Sequence, residues 1–481
     1  MSNETSIVWL RNDLRVQDNA ALKAGLQSGA SLVVLYIWDE TAYGEWQPGS
    51  ASKVWLHHAL KSLQTKLQEY GGRIILKVGA TAEVLHTVID ATGANQIFWN
   101  RRYEPKLRSL DADLKLALRA EGLKVETFNS ALLNEPHTVA NKSGGPFKVY
   151  SPYFKSIQDR PVVAPIEVNL ENALWSDANL ESEALAELNL LPSQNWWRDM
   201  IKDWDISESG AHERLNRFLD GAVSHYNEDR NIPGIEGSSK LSPYLQSGLI
   251  GPRQVVAALE ARTNLKEKGP FVYLKEIYWR EFAYNVLFHF PHTPEKPLQA
   301  QYADFPWEAD DDLLKCWKKG QTGYPIVDAG MRELYATGWM HNRVRMIVAS
   351  LLVKQLLQDW KTGAAWFWDT LVDADIASNT LGWQWSGGCG ADAAPYFRVF
   401  NPMIQGGKFD PIGTYVKRYV PELGKLPAKY IHTPWEAPEA VLEAAGIELG
   451  VTYPHPIIDH QTGRERALSA FDKFKNPVEA I

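Results

Sequence analysis

Short, almost uninterrupted apolar runs punctuate the first 130 positions, and each is followed by a longer stretch with helical spacing. The runs are Ile7–Leu10, Leu32–Trp38, Arg73–Val78, Gln96–Trp99 and Leu123–Phe128. Such continuity predicts strands buried on both faces, the mark of a parallel sheet. Between them the pattern predicts helices at Ser52–Tyr70, closed by Gly71 and Gly72, and at Pro105–Glu121, opened by its proline and closed at Gly122. Residues 1–130 are therefore expected to form a doubly wound α/β domain. Residues 131–205 break into Pro-, Asn- and Glu-rich segments and read as an interdomain connection. From 206 to 481 strand signals nearly vanish, and helices are predicted at Tyr273–Phe288, Ile326–Thr337, His341–Gln358 and Ala364–Val372, an all-α domain. There is no internal repeat or low-complexity tract.

A length of 481 residues, 45% of them hydrophobic, agrees with more than one core. No basic segment leads into an apolar one at the N-terminus and no apolar window reaches membrane length, so a cytoplasmic protein without membrane association is expected. Two cysteines, Cys316 and Cys389, are too few for a disulfide framework or a four-thiolate cluster, and no metal is expected. The net charge of -8 argues against a nucleic-acid partner only if charge is evenly spread. It is not: residues 330–420 hold nine Lys or Arg against seven Asp or Glu, while 171–187 holds five acids and no base. The 19 tryptophans are mostly expected in the core.

No Gly-x-Gly-x-x-Gly follows the first strand, so chemistry must be sought in the helical half. Gly237 to Tyr244 is a polar turn before a helical run, offering hydroxyls, backbone N–H groups and one cation, as a pyrophosphate requires. Taken alone it reads more plainly as an N-cap turn. Helical spacing sets Glu276, Trp279 and Arg280 on one face, either a salt-bridged solvated face or a binding wall. Asn342 and Met346 share a face with two arginines, Arg343 and Arg345, between them, a set able to read a base edge and hold phosphate. His341 reads as structural. In Asp373–Trp385, Asn379 and Trp383 lie four apart, and Asp373 and Asp375 could pair with Arg345 in a buried site.

The ordered blocks GSSKLSPYLQSG, YWREF, FPW, CWKKGQTGYPIVDAGMREL, GWMHNRVRM, DADIASNTLGWQW and APYFRVFNPMIQGGKFD resemble class I photolyases of the photolyase–cryptochrome family along nearly the whole chain. The resemblance implies FAD folded in the helical domain, active as the reduced anion. It places Tyr226, Ser238, Ser239, Lys240, Leu241, Ser242, Tyr273, Asn342, Arg345, Asp373, Asp375 and Asn379 around that cofactor. Asn379 would face the flavin N5, and Arg345, oriented by Asp373, would offset the ring's charge. Trp383, Trp360 and Trp307 match the family's electron path from flavin to surface. The implied substrate is a cyclobutane pyrimidine dimer in UV-damaged DNA, flipped out of the duplex and split by an electron from the light-excited flavin. Trp279 and Trp385 would flank it, with Arg280 on the same wall, Glu276 and Asn342 would bond its polar edges, and Met346 would line the floor. Arg230, Arg343, Arg398 and Gln405 would contact the DNA backbone.

Two rivals share this architecture. A cryptochrome-type photoreceptor is disfavoured by Glu276, Trp279, Asn379 and Trp385 together and by a chain that ends soon after Pro477. Repair of the (6-4) photoproduct is disfavoured by His341-Asn342 where those enzymes carry two histidines. A plain nucleotide-binding module would not need a tryptophan at each step of a path. The resemblance further implies a second, antenna chromophore on the sheet domain, of folate, deazaflavin or flavin type, although Lys106-Leu107 replaces the Asn-Glu pair of some folate-binding members. A monomer is expected.

Overall fold

The computed structural model describes residues 4–396 and 398–476; of the residues cited above, Phe397 in the APYFRVF block and Pro477 lie outside them. Strand β1 (Thr5–Leu10) is buried along its whole length, as its unbroken apolar run requires. It pairs in parallel with β2 (Ser31–Trp38), setting Ile7 opposite Val33, and with β4 (Gln96–Asn100), setting Ile7 opposite Ile97. Strand β3 (Ile74–Val78) joins β2 and β5 (Lys124–Phe128) joins β4, so the sheet runs β3-β2-β1-β4-β5. All five predicted strands are present, and the order reverses between β1 and β4.

Four helices cross over between these strands: α1 (Ala20–Gln27), α2 (Ser50–Gln68), α3 (Thr81–Thr92) and α4 (Pro105–Ala120). The Asn19 side chain caps α1 by accepting from the Leu22 N–H. Gly25 lets α1 lie flat on the sheet, since a Cβ there would come within 2.5 Å of Val8 Cγ2. The predicted connection is ordered. Leu32 N–H donates to the Leu174 carbonyl at 2.6 Å and Trp175 Nε1 to the Tyr70 carbonyl at 2.6 Å, and the indole fills the space a Gly72 side chain would need.

By internal contacts the chain forms two units, one of residues 1–221, 239–291 and 372–376, the other of residues 222–238, 292–371 and 377–481. In the first, the sheet is joined to the stretch 239–291 by buried polar bonds. Arg253 pairs with Asp18 at 2.9 Å, Trp55 Nε1 donates to Ser247 Oγ at 3.0 Å, and the Glu281 carboxylate accepts from the Leu133 and Asn134 N–H groups at 2.9 and 2.8 Å. The strand pattern thus stops near 130, but the core it builds reaches further along the chain.

The second unit is helical. The helix predicted over His341–Gln358 is two pieces: an α-helix at Asn342–Ser350, with His341 as its cap, and a π-helical turn at Leu351–Gln355. The cap explains the histidine, whose Nδ1 accepts from the Arg343 N–H at 3.2 Å. The helix Trp360–Thr370 packs closely on the helix Ile376–Gly387, because a Cβ on Gly363 would lie 2.1 Å from Trp383 Cη2.

Candidate active site

In the first unit, Ser239 to Leu241 form a turn in which Lys240 takes a left-handed backbone, φ 51°, leading into the helix Ser242–Ser247. Residues 237–242 carry three hydroxyls, one cation and no acid. Ser239 and Lys240 are half-buried and Ser242 is exposed, so the turn reaches the surface of its unit. Tyr273, buried on the helix Lys268–His289, donates to Ser239 Oγ at 3.1 Å; burial pushes its phenol up, and it stays a donor at neutral pH.

The same helix carries Glu276, Trp279 and Arg280, all half-buried, as the spacing predicted. Their surroundings divide them. Trp279 stacks on Tyr150 with ring centroids 3.8 Å apart and planes 8° from parallel, and Tyr150 donates to the Lys275 carbonyl at 2.8 Å. Arg280 donates to the Ala131 carbonyl at 2.7 Å and lies over the Tyr284 ring at 4.9 Å, so much of its bonding is spent inside the unit. Tyr284 in turn donates to Asp375. Asp373 is buried, 7% exposed.

In the second unit, Tyr226 is buried with the Arg230 guanidinium 5.5 Å from its ring centroid, Ser238 is half-buried, and Asn342 is exposed at the first turn of its helix. Arg345 donates to the Met340 carbonyl at 2.8 Å. Arg343 bonds Asn231 Oδ1 at 2.6 Å, approaches Met346 Sδ at 3.6 Å and lies over Phe409 at 4.5 Å. Burial, and then the charges of Arg230 and Arg398, hold Arg343 below its ordinary value, so three of the predicted backbone-contact residues feel one another. Gln405 is half-buried on the helix Pro402–Phe409.

Asn379 and Trp383 share the helix Ile376–Gly387. Asn379 Nδ2 donates to the Ala364 carbonyl at 3.1 Å, which leaves Oδ1 and the second N–H to offer a ligand. Trp383 is 3% exposed and Trp360 2%, both at the packed interface of their two helices, whereas Trp307 is half-buried. Two of the three are therefore buried and only Trp307 reaches toward solvent. Trp385, half-buried, follows Gln384, whose buried amide bonds the Thr293 and Lys296 carbonyls at 2.6 and 2.9 Å and the Leu298 N–H at 2.9 Å.

Each unit's donor set suits part of FAD: in the first, hydroxyls and one cation on an acid-free turn with a buried tyrosine behind them suit phosphates; in the second, an arginine and an anchored carboxamide suit a flavin ring. The crevice at the sheet's reversal point, where such folds commonly take ligands, does not suit a second ring system. Between the ends of β1 and β4 it holds about 30 Å³, closed in part by Tyr103, Tyr284 and the Arg102–Glu104 pair at 2.6 Å.

Tyr150, Tyr284, Asn231 and Gln384 are not singled out by the sequence. Each holds a predicted residue from a distant stretch or from a neighbouring position, and no spacing rule links Tyr150 to a tryptophan 129 positions later.

A family model described as DNA photolyase matches residues 6–168, and one described as FAD binding domain of DNA photolyase matches residues 273–473. The chain is 46% identical to a deoxyribodipyrimidine photo-lyase of Agrobacterium fabrum over 98% of each chain. It is 36% identical to cryptochrome-1 of Arabidopsis thaliana over 98% of this chain and 71% of that protein. A solved bacterial class III photolyase from Agrobacterium tumefaciens superposes with a TM-score of 0.95 at 45% identity, covering 99% of this chain and 98% of the other. With both halves of the chain matched and an extended relative at this identity, the chain belongs to the DNA photolyase–cryptochrome family and carries its FAD-binding domain.

Proposed function

We propose that this chain is a light-dependent DNA repair enzyme that splits cyclobutane pyrimidine dimers. Within the family, the 45% identity to a structure titled class III favours that class over the class I likeness of the motifs. The observation that carries the repair reading is Trp279: an indole locked on one face by Tyr150, yet half-buried, on a helix that also bears Glu276. A ring held rigid in this way loses little entropy when a planar base stacks on it.

FAD, bound and reduced, supplies the electron that light drives onto the dimer. The chain's residues do the rest. From the first unit, Ser239 to Ser242 and Tyr273 take phosphate oxygens, Asp373 and Asp375 orient polar groups of the cofactor site, Trp279 stacks on the lesion and Glu276 bonds its polar edge. From the second, Tyr226 and Ser238 complete the cofactor's contacts, and Arg345 and Asn379 address the flavin ring. Trp385, Asn342 and Met346 receive the flipped bases. Arg230, Arg343, Arg398 and Gln405 hold the DNA backbone, and UV-damaged DNA is the partner. Trp383, Trp360 and Trp307 carry electrons that restore the reduced cofactor. His341 caps its helix, and Asn342 stands where (6-4) enzymes of the family carry a second histidine, which favours a cyclobutane lesion.

No helix of the described residues is long and apolar enough to cross a membrane. We place the protein in the cytoplasm as a monomer, with residues 1–130 as the domain bearing an antenna chromophore, which absorbance before and after denaturation will identify. The test of the lesion site is the pair Trp279→Ala and Trp385→Ala combined. FAD content should stay at the wild-type level while dimer affinity and repair under blue light fall at least tenfold. Unchanged turnover in this variant would contradict the reading.

A further inference from the structure

Lys354 is 1% exposed, and its ammonium has no hydrogen-bond partner among the described residues. A bare buried ammonium is costly, and such a group calls for an explanation. It sits on the π-helical turn Leu351–Gln355, an interruption of the kind that often marks function. Its Nζ lies 3.5 Å from the ring centroid of Tyr396, which is 2% exposed and whose hydroxyl likewise has no partner among the described residues.

Tyr396 is placed beside the outer end of the tryptophan path. Its ring lies 4.8 Å from Phe305, and Phe305 lies 4.5 Å from Trp307. On the other side, Lys354 feels Cys389. From the point where a Gly387 Cβ would stand, Cys389 Sγ is 3.3 Å away and Trp360 Cδ1 3.7 Å. The cation therefore lies on the tyrosine that one phenylalanine ring separates from Trp307, the outermost indole of the path.

We propose that Lys354 guards this path: its ammonium, pressed on the Tyr396 ring, keeps Tyr396 from donating an electron to oxidised Trp307, so that the oxidising equivalent stays on the indoles. The inference rests on the path reading above. The step it blocks is one electron from Tyr396 to the one-electron-oxidised Trp307, with the phenolic proton passing to the Lys354 amine. An ammonium opposes the positive charge that would develop on the ring and has no lone pair for the proton.

Burial pushes Lys354 down to about 7. The other groups around it do not share that range: burial pushes Cys389 up to about 12, raises Tyr396 and Tyr302, and lowers His460, which Gln355 reaches at 2.7 Å. Asp359 acts on Cys389, and Lys475 stands over Phe471, which stacks on Tyr396.

The experiment is flash photoreduction of the FAD-loaded protein with oxidised flavin, following tryptophan and tyrosyl radicals by transient absorption and electron paramagnetic resonance across pH 6 to 9, roughly the window in which a lysine so lowered by burial changes charge. In wild type, a tyrosyl signal should be absent at the acid end and grow in at the alkaline end, with faster decay of the tryptophan radical. Tyr396→Phe should show no such signal at any pH, and Lys354→Met should lose the pH-dependent onset. A wild type without the onset, or a Lys354→Met variant that keeps it, overturns the guard. If Lys354→Met does not fold, the wild-type and Tyr396→Phe series decide alone. Absence of any tryptophan radical in wild type would fell the path reading itself, an outcome distinct from radicals that form and ignore pH.

Discussion

Glu281 shows how a single buried carboxyl writes itself into pH behaviour. It is 1% exposed, and burial pushes it up to about 7 despite Arg280 and two backbone N–H donors. Because its folded value exceeds the ordinary 4.5, the folded state binds more protons between those values and stability falls as pH rises through the window. The loss amounts to about 3 kcal/mol, since each tenfold change in proton affinity is worth about 1.36 kcal/mol. Glu281→Gln should flatten urea-unfolding stability between pH 4.5 and 7, and an unchanged slope would contradict this. Tyr150 makes a second prediction at this scale. Its removal by Tyr150→Leu frees the Trp279 indole, and the stacking energy of about 0.5–1.5 kcal/mol corresponds to a loss of roughly two- to tenfold in dimer affinity. Titration with a dimer-containing oligonucleotide checks it. The tryptophan and its helix are readable from sequence; the tyrosine is not, because stacking between distant segments leaves no periodic trace.

The elements are legible where one physical rule sets them and obscure where two compete. Glu276, Trp279 and Arg280 do share a helix, and Asn379 and Trp383 lie on a helix that runs to Gly387, as spacing predicted. The stretch after Ser350 reads as continuous α-helix because its apolar period is unbroken, yet five residues widen into a π-turn around Lys354. Arg280 reads in the sequence as part of a salt-bridged face or of a binding wall, and its bond to the Ala131 carbonyl and its place over the Tyr284 ring are legible in neither. Close helix packing yields the prediction at this scale. A Cβ at Gly363 would overlap the Trp383 ring, so Gly363→Ala should cost about 1–3 kcal/mol by overpacking and slow photoreduction by displacing the indole. A lowered Tm together with a slower flash signal is expected; an unaltered Tm would show that the helices part freely.

For the whole molecule, the parallel sheet and the helical half are both evident in the alternation of runs along the chain, because buried strands and amphipathic helices carry different periods. The reach of the sheet's core into 239–291 is not, since the Arg253–Asp18 pair joins residues 235 apart. The net charge of -8 hides the local positive charge of Arg230 and Arg398, which acts on Arg343 across more than fifty positions of sequence. Each of these arginines that contacts a phosphate should add about 0.9 to the slope of log affinity against log salt. Arg230→Ala and Arg398→Ala should each lower that slope by close to one while weakening damaged and intact DNA alike, as anisotropy at several salt concentrations will show. The central claim is light-driven reversal of the lesion. Its most direct measurement is the absorbance of a thymine-dimer oligonucleotide with the reduced, FAD-loaded wild-type protein, alternately dark and under blue light: thymine absorbance should return only in the illuminated periods, and a flat trace in both would contradict the account.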